Sequence, residues 1–397
     1  MIDQQASDER ALRAIGLRTW SPSSEVFTAR EPDETWPLFG GMAWVYRGEG
    51  NASLLRPVLL ADGFDSGPSD LDTFWDGMDR RGFALAEALR GQGHDLILIG
   101  FDERSATVGQ NARTVVAAIG RAIAERRGRE RLVVGGFGVG AVVARYALAK
   151  LETDRRDHQT GVYLSYDGPH GGASVPIAVQ AFAHYGSPSL AAQLNSPGGR
   201  QLLWRHIASV DGVPGVDALR TRLFAELDRV GGWPMRPRRL AVANGTGDGT
   251  GNGVPPGALA LSVAGPAFAG TNLYTQSDTP DAVVATLQSA IDTPREVFAE
   301  DLPEIDGAPG GTLEVFALLG AALQERGAAQ VHHGEVAFVP TLSALGFGEV
   351  DGAGDLFVDV SGLSVYTSAF DDFAFADSNT RHCTITEDLA SWLLDRL

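Results

Sequence analysis

The chain has a single cysteine, Cys383, and a single lysine, Lys150, in 397 residues. One cysteine excludes an internal disulfide and any zinc site built from cysteines. Arginine therefore supplies nearly all of the 32 basic residues, which face 50 acidic ones and leave a formal net charge of −18. That balance argues against nucleic acid or an anionic membrane as partner, because either is held through a basic footprint. No apolar run approaches the roughly 20 residues that span a bilayer. The opening "MIDQQASDERALRAIGLRTW" has no basic start followed by an apolar stretch, so a cytoplasmic location is expected. Repeats and low-complexity tracts are also missing, and the length suits one elaborated domain or two small ones.

What is present is an alternation of strand and helix signals. After a polar leader over 1–40, "MAWVY" (Met42 to Tyr46) and "RPVLLADGFDSG" (Arg56 to Gly67) read as strands, the second ending in glycine-rich turn chemistry. "FALAEALRGQG" reads as a helix and "DLILIGFD" as a strand covered on both faces. In "VGQNARTVVAAIGRAIAERRGR", Val115, Ile119 and Ile123 recur every four residues, the spacing of an amphipathic helix. "RLVVGG", "GVYLSYDGPHGG" and "RRLAVANGTGDG" add three more strands. Such alternation predicts right-handed crossovers and a mostly parallel sheet with helices on both faces. The core is expected over 41–171 and 236–397, with a helical cap over 172–235 and a β-rich insertion over 249–335, where "ALALSVAGPAFAGTNLYTQ" alternates. In the closing "HCTITEDLASWLLDRL", Thr384 and Glu387 have capping-box spacing ahead of a final helix.

The stretch "VVGGFGVGAVVARYAL", Val133 to Leu148, joins a strand to a helix through a glycine-packed turn. Two mechanisms use such a turn. Gly136, Gly138 and Ala141 satisfy G-x-G-x-x-G/A, which brings a dinucleotide pyrophosphate to a helix N-terminus and would make the chain an oxidoreductase. Alternatively, Gly136 and Gly140 are the small flanks of a nucleophile elbow, G-x-S-x-G, with Gly138 in the serine place. A dinucleotide fingerprint usually belongs to the first strand of its domain, and this turn follows several strands, where an elbow belongs.

Beyond the turn the chain resembles lipase- and esterase-like α/β-hydrolases. "GAVVARYAL" is similar to the helix after their elbow, and "SYDGPHGGASVP" (Ser165 to Pro176) to the segment after their next strand. "SPGGRQLLWRH" resembles their cap, and "FVPTLSAL" with "SNTRHCTIT" their last strand and histidine loop. The resemblance implies an α/β-hydrolase fold, a nucleophile, acid and histidine in that chain order, and no cofactor. It implies as partner a small-molecule or lipid-like acyl compound: an ester, lactone or thioester.

His382 is the best base, because it follows the strands, lies in a polar loop and precedes the final helix. His170 reads as structural. His332 and His333 are adjacent on a strand and so point to opposite faces, which speaks against a shared metal. For the carboxylate, the resemblance favours Asp248, after the strand that follows the cap, then Asp167; Asp355 is a third choice. Oxyanion donors are expected at the N–H groups of Val139 and Phe64. Gly63, Phe74 and Trp75 are expected to line the acyl site. Glycine at 138 has no atom to attack with, and neither Ser66 nor Ser165 stands at an elbow. The chain is therefore expected to be a hydrolase whose serine has been replaced, or a natural pseudo-hydrolase that keeps the pocket for binding.

Overall fold

The structure is a computed structural model that describes residue 19 and residues 27–79, 82–290, 293–300, 302–324, 328–348, 353–363 and 367–397. Most of the leader expected over 1–40 lies outside the described residues. Its last part does not behave as a leader: Glu34–Leu38 forms strand β1 and pairs antiparallel with β2, Gly41–Tyr46.

The strands β3 (Pro57–Ala61), β4 (Asp95–Phe101), β5 (Leu132–Phe137), β6 (Thr160–Tyr166), β7 (Arg238–Ala243) and β15 (Asp372–Phe375) join these two in one sheet of order β1-β2-β4-β3-β5-β6-β7-β15. From β4 to β15 every pairing is parallel. The continuous apolar runs follow from this position. In β4, Ile97 and Ile99 enter one hydrophobic core while Leu96 and Leu98 enter a second on the opposite face, so the strand is apolar after its first residue, Asp95.

Helices α1 (Leu71–Asp79), α2 (Leu85–Gly91), α3 (Val108–Glu125) and α4 (Val139–Thr153) cover the sheet. The amphipathic helix α3 starts at a full capping box between Thr107 and Gln110 and buries Val115 and Ile119. At the chain's end the helix Glu387–Leu394 is capped by Thr386, whose hydroxyl accepts the N–H of Leu389. Thr384, the expected cap, lies two residues too early, and its carbonyl accepts the Tyr166 hydroxyl.

Between β6 and β7 run four helices, Ile177–Gly186, Pro188–Leu194, Pro197–Leu202 and Ala218–Arg229. After β7 comes a separate antiparallel sheet of order β11-β10-β9-β8-β13, built from β8 (Leu259–Val263), β9 (Asn272–Tyr274), β10 (Val283–Leu287), β11 (Arg295–Phe298) and β13 (Ala329–Val331). Finally β12 (Gly310–Leu313) pairs antiparallel with β14 (Val336–Pro340). The strand order of the large sheet, with helices on both faces, is that of the α/β-hydrolase fold.

One buried carboxyl beside the second sheet gives a measurable signature. Asp306 accepts the N–H of Gln276 at 2.8 Å through Oδ2, while Oδ1 has no hydrogen-bond partner among the described residues. Burial pushes this carboxyl up to about 7, whereas the unfolded chain releases the proton near pH ~4. The folded state therefore holds more protons across that interval, and stability falls as pH rises through it, levelling above about 7. Urea midpoints of wild type and Asp306→Asn, compared between pH ~5 and ~8, should fall more steeply with pH in the wild type, the difference being the Asp306 contribution.

Candidate active site

The turn after β5 is a sharp one. Gly138 has φ 52° and ψ −120°, in the positive-φ region that strains any residue with a Cβ. Its flanks must be glycine for a different reason, contact. A Cβ on Gly136 would stand 2.5 Å from the Gly140 carbonyl carbon, and one on Gly140 would stand 2.3 Å from the Ala61 oxygen and 2.4 Å from the Asp62 oxygen. Those obstacles are backbone, so β3 or α4 would have to move. Gly140→Ala is expected to destabilise by ~3 kcal/mol, at the top of the usual overpacking range. Urea denaturation checks it, and an unchanged midpoint would contradict this packing.

Asp167 lies directly after β6, at φ 50° and fully buried. Its N–H donates to the Val242 carbonyl at 2.7 Å, and its Oδ1 accepts the N–H of Asn244 at 3.1 Å. Oδ2 meets His382 Nδ1 at 2.6 Å. Gly311 permits this approach, since a Cβ there would come within 2.2 Å of Oδ2. His382 itself sits in the loop after β15, held by its N–H donating to Thr312 of β12 at 2.9 Å. The Phe338 ring packs edge-on against the imidazole at 5.0 Å. With Nδ1–H directed to the carboxylate, Nε2 is left as the acceptor. It lies 2.7 Å from where a Cβ on Gly138 would be.

On the other side of the turn, the N–H of Phe64 points at the same space and donates to the Thr19 hydroxyl at 2.9 Å. The Asp62 carboxylate accepts the N–H of Gly63 at 2.8 Å and so shapes this loop. Val139 is the first residue of α4, and its N–H is one of those a helix start leaves without an intrahelical partner. Two amides and a helix N-terminus thus border one point, the arrangement that stabilises negative charge on oxygen. Next to it lies a narrow pocket lined by Phe64, Val139, Ala173, Leu202, Leu203 and Phe338 among others, and by His382. Its walls are almost wholly apolar.

Asp167, His382 and Cys383 offer ligand atoms within 4.8 Å of one another, the spacing of a possible metal set. Burial first, and then the neighbouring Asp167 charge, push Cys383 well above the ordinary thiol range. Its sulfur stands 3.5 Å from His382 Nε2.

No protein-family model and no curated protein matches this chain. Solved structures do resemble it distantly. The Bacillus licheniformis lipase BlEst2 in its mature form is 12% identical with a TM-score of 0.32, covering 53% of this chain and 73% of that one. The thermophilic carboxylesterase EstE1, from a metagenomic library, is 14% identical with a TM-score of 0.34, covering 60% and 74%. Carboxyl esterase 2 of the fungus Tuber melanosporum is 10% identical with a TM-score of 0.33, covering 55% and 68%.

The expected residues divide cleanly. Gly138, His382, Asp167, Phe64, Gly63 and Val139 come together. Asp248, the favoured carboxylate, does not: it is fully exposed, and hydrogen bonds from Thr250 hold it below its usual range. The loop after β7 stays buried through Gly247, with the Asn244 N–H donating to Asp167, and turns to solvent at Asp248. Asp355 is likewise exposed. Phe74 and Trp75 are not in the cavity either. They lie under the sheet in the second core, Phe74 edge-on to Phe137 at 6.1 Å and Trp75 against Tyr46 at 4.4 Å. His170 bonds the Ser165 hydroxyl at 2.8 Å, fully buried, and burial, then Arg145, hold its pKa well below the ordinary value. The space over Gly138 that a pyrophosphate would need holds the His382 ring and the Thr19 hydroxyl. Sequence reasoning misses Thr19, Phe338, Leu202 and Leu203 as pocket walls, although Phe338 opens "FVPTLSAL" and the two leucines lie within "SPGGRQLLWRH".

Proposed function

We propose that this is the site of a serine-type acyl hydrolase that lacks its nucleophile, so that the chain as written binds acyl compounds and a serine at 138 would make it cleave them. The observation that carries this reading is the placement of His382 Nε2, oriented by Asp167, 2.7 Å from the absent Cβ of Gly138. An imidazole held by a buried carboxylate is the general base of acyl transfer. Phe64 and Val139 supply the amides for the oxyanion, and the apolar cavity suits a short aliphatic acyl group better than a polar ligand. The partner is a small ester, lactone or thioester. The test is hydrolysis of 4-nitrophenyl butyrate by Gly138→Ser, and its loss when His382→Ala is added.

A further inference from the structure

The oxyanion site is already filled from within the chain. Thr19 is buried and joined to Phe64 at both ends: its N–H donates to the Phe64 carbonyl at 3.1 Å, and its Oγ1 accepts the Phe64 N–H at 2.9 Å. The same oxygen lies 3.2 Å from the absent Cβ of Gly138, and a Cβ on Gly63 would come within 1.9 Å of it. Thr19 also walls the apolar cavity.

Two roles could bring a hydroxyl there. As a substitute nucleophile it would have to lie against His382 Nε2, with the amide of Phe64 free for the carbonyl oxygen of a substrate. Among the described residues the Thr19 hydroxyl makes no hydrogen bond to His382. That hydroxyl takes the hydrogen bond of the amide, the bond a bound carbonyl or carboxylate oxygen would take.

We infer that Thr19 is an internal ligand of the oxyanion site, and that an aliphatic carboxylate or ester enters the pocket only by displacing the Thr19 hydroxyl from Phe64. The inference rests on the acyl-pocket reading for the class of ligand. It adds that the occupant comes from the N-terminal part of this same chain, and that affinity is set by a competition between two oxygens for one amide. Once the hydroxyl is displaced, a ligand oxygen accepts from Phe64 and Val139 while its chain runs past Leu202, Leu203 and Phe338.

The probe is hexanoate, titrated calorimetrically into the full-length protein with glycine at 138. Thr19→Val keeps the side-chain shape and removes the acceptor, Thr19→Gly removes both, and Thr19→Ser keeps the hydroxyl. Hexanoate should bind the valine and glycine variants about fivefold or more tightly than wild type, the net worth of one hydrogen bond. The serine variant should match wild type. Equal affinity in all four proteins, or no binding to any, overturns the inference. Amide hydrogen exchange gives a second readout independent of the probe. Protection of the Phe64 N–H should drop at least about tenfold in Thr19→Val and stay in Thr19→Ser, and unchanged protection in the valine variant would also overturn it. A Gly138→Ser protein without esterase activity would defeat the hydrolase reading and leave both of these measurements standing.

Discussion

Gly138→Ser should give the chain esterase activity. The serine Oγ would stand beside His382 Nε2, give it the hydroxyl proton, and attack the acyl carbon, with the oxyanion held by Phe64 and Val139 once the Thr19 hydroxyl is displaced from Phe64. Removing either the serine or the histidine of a working triad costs on the order of 10⁶ in kcat, and the two losses do not add. Restoring the serine should recover at least ~10³ of that. The full amount is not expected, because a Cβ only 2.7 Å from Nε2 forces the ring to withdraw, and the ring is pinned at 2.6 Å to Asp167. The same substitution should lower stability, since placing a side chain at φ 52° costs ~1–3 kcal/mol of strain. Thermal unfolding should fall by a few degrees, at about 2–4 °C per kcal/mol for domains somewhat smaller than this one. Release of 4-nitrophenol from the butyrate ester measures the activity. A folded Gly138→Ser protein no faster than its parent would leave binding as the site's only role.

Asp167→Asn, made in the Gly138→Ser background, should lose about 10⁴ in kcat with little change in KM, because an amide partner favours the wrong imidazole tautomer. Asp248→Asn in the same background should stay within about twofold, as an exposed surface change does. The pair of variants separates geometry from resemblance. Position along the chain pointed to Asp248, but its carboxylate accepts the N–H of Thr250 within its own loop, whereas Asp167 is buried against the imidazole. A large loss from Asp248→Asn together with a small one from Asp167→Asn would return the orienting role to the β7 loop.

These two aspartates mark how much of the site was legible beforehand. Both follow a strand, both sit in glycine-rich turns, and nothing local separates them. The difference arises where Asp167 adopts φ 50° and places its carboxylate under Gly311, a residue far along the chain that leaves room for it. Phe74 and Trp75 misled for a related reason. Their distance from the oxyanion loop in sequence is short, yet α1 turns its apolar side into the second core and away from the cavity. Thr19 gave no signal at all, because a threonine in a polar leader looks like any other until the chain folds back onto Phe64.

Sequence alone determined the strands and the glycine-flanked turn with Gly138 at its centre. A strand buried on both faces is apolar along most of its length, and a sharp turn packed against backbone on both sides must be flanked by glycine, so each leaves a local imprint. Only the tertiary structure decided which carboxylate meets His382, which side chains wall the cavity and what already fills the oxyanion site. Those contacts join segments far apart in the chain, and their geometry depends on the order in which the strands lie side by side, which no local spacing records.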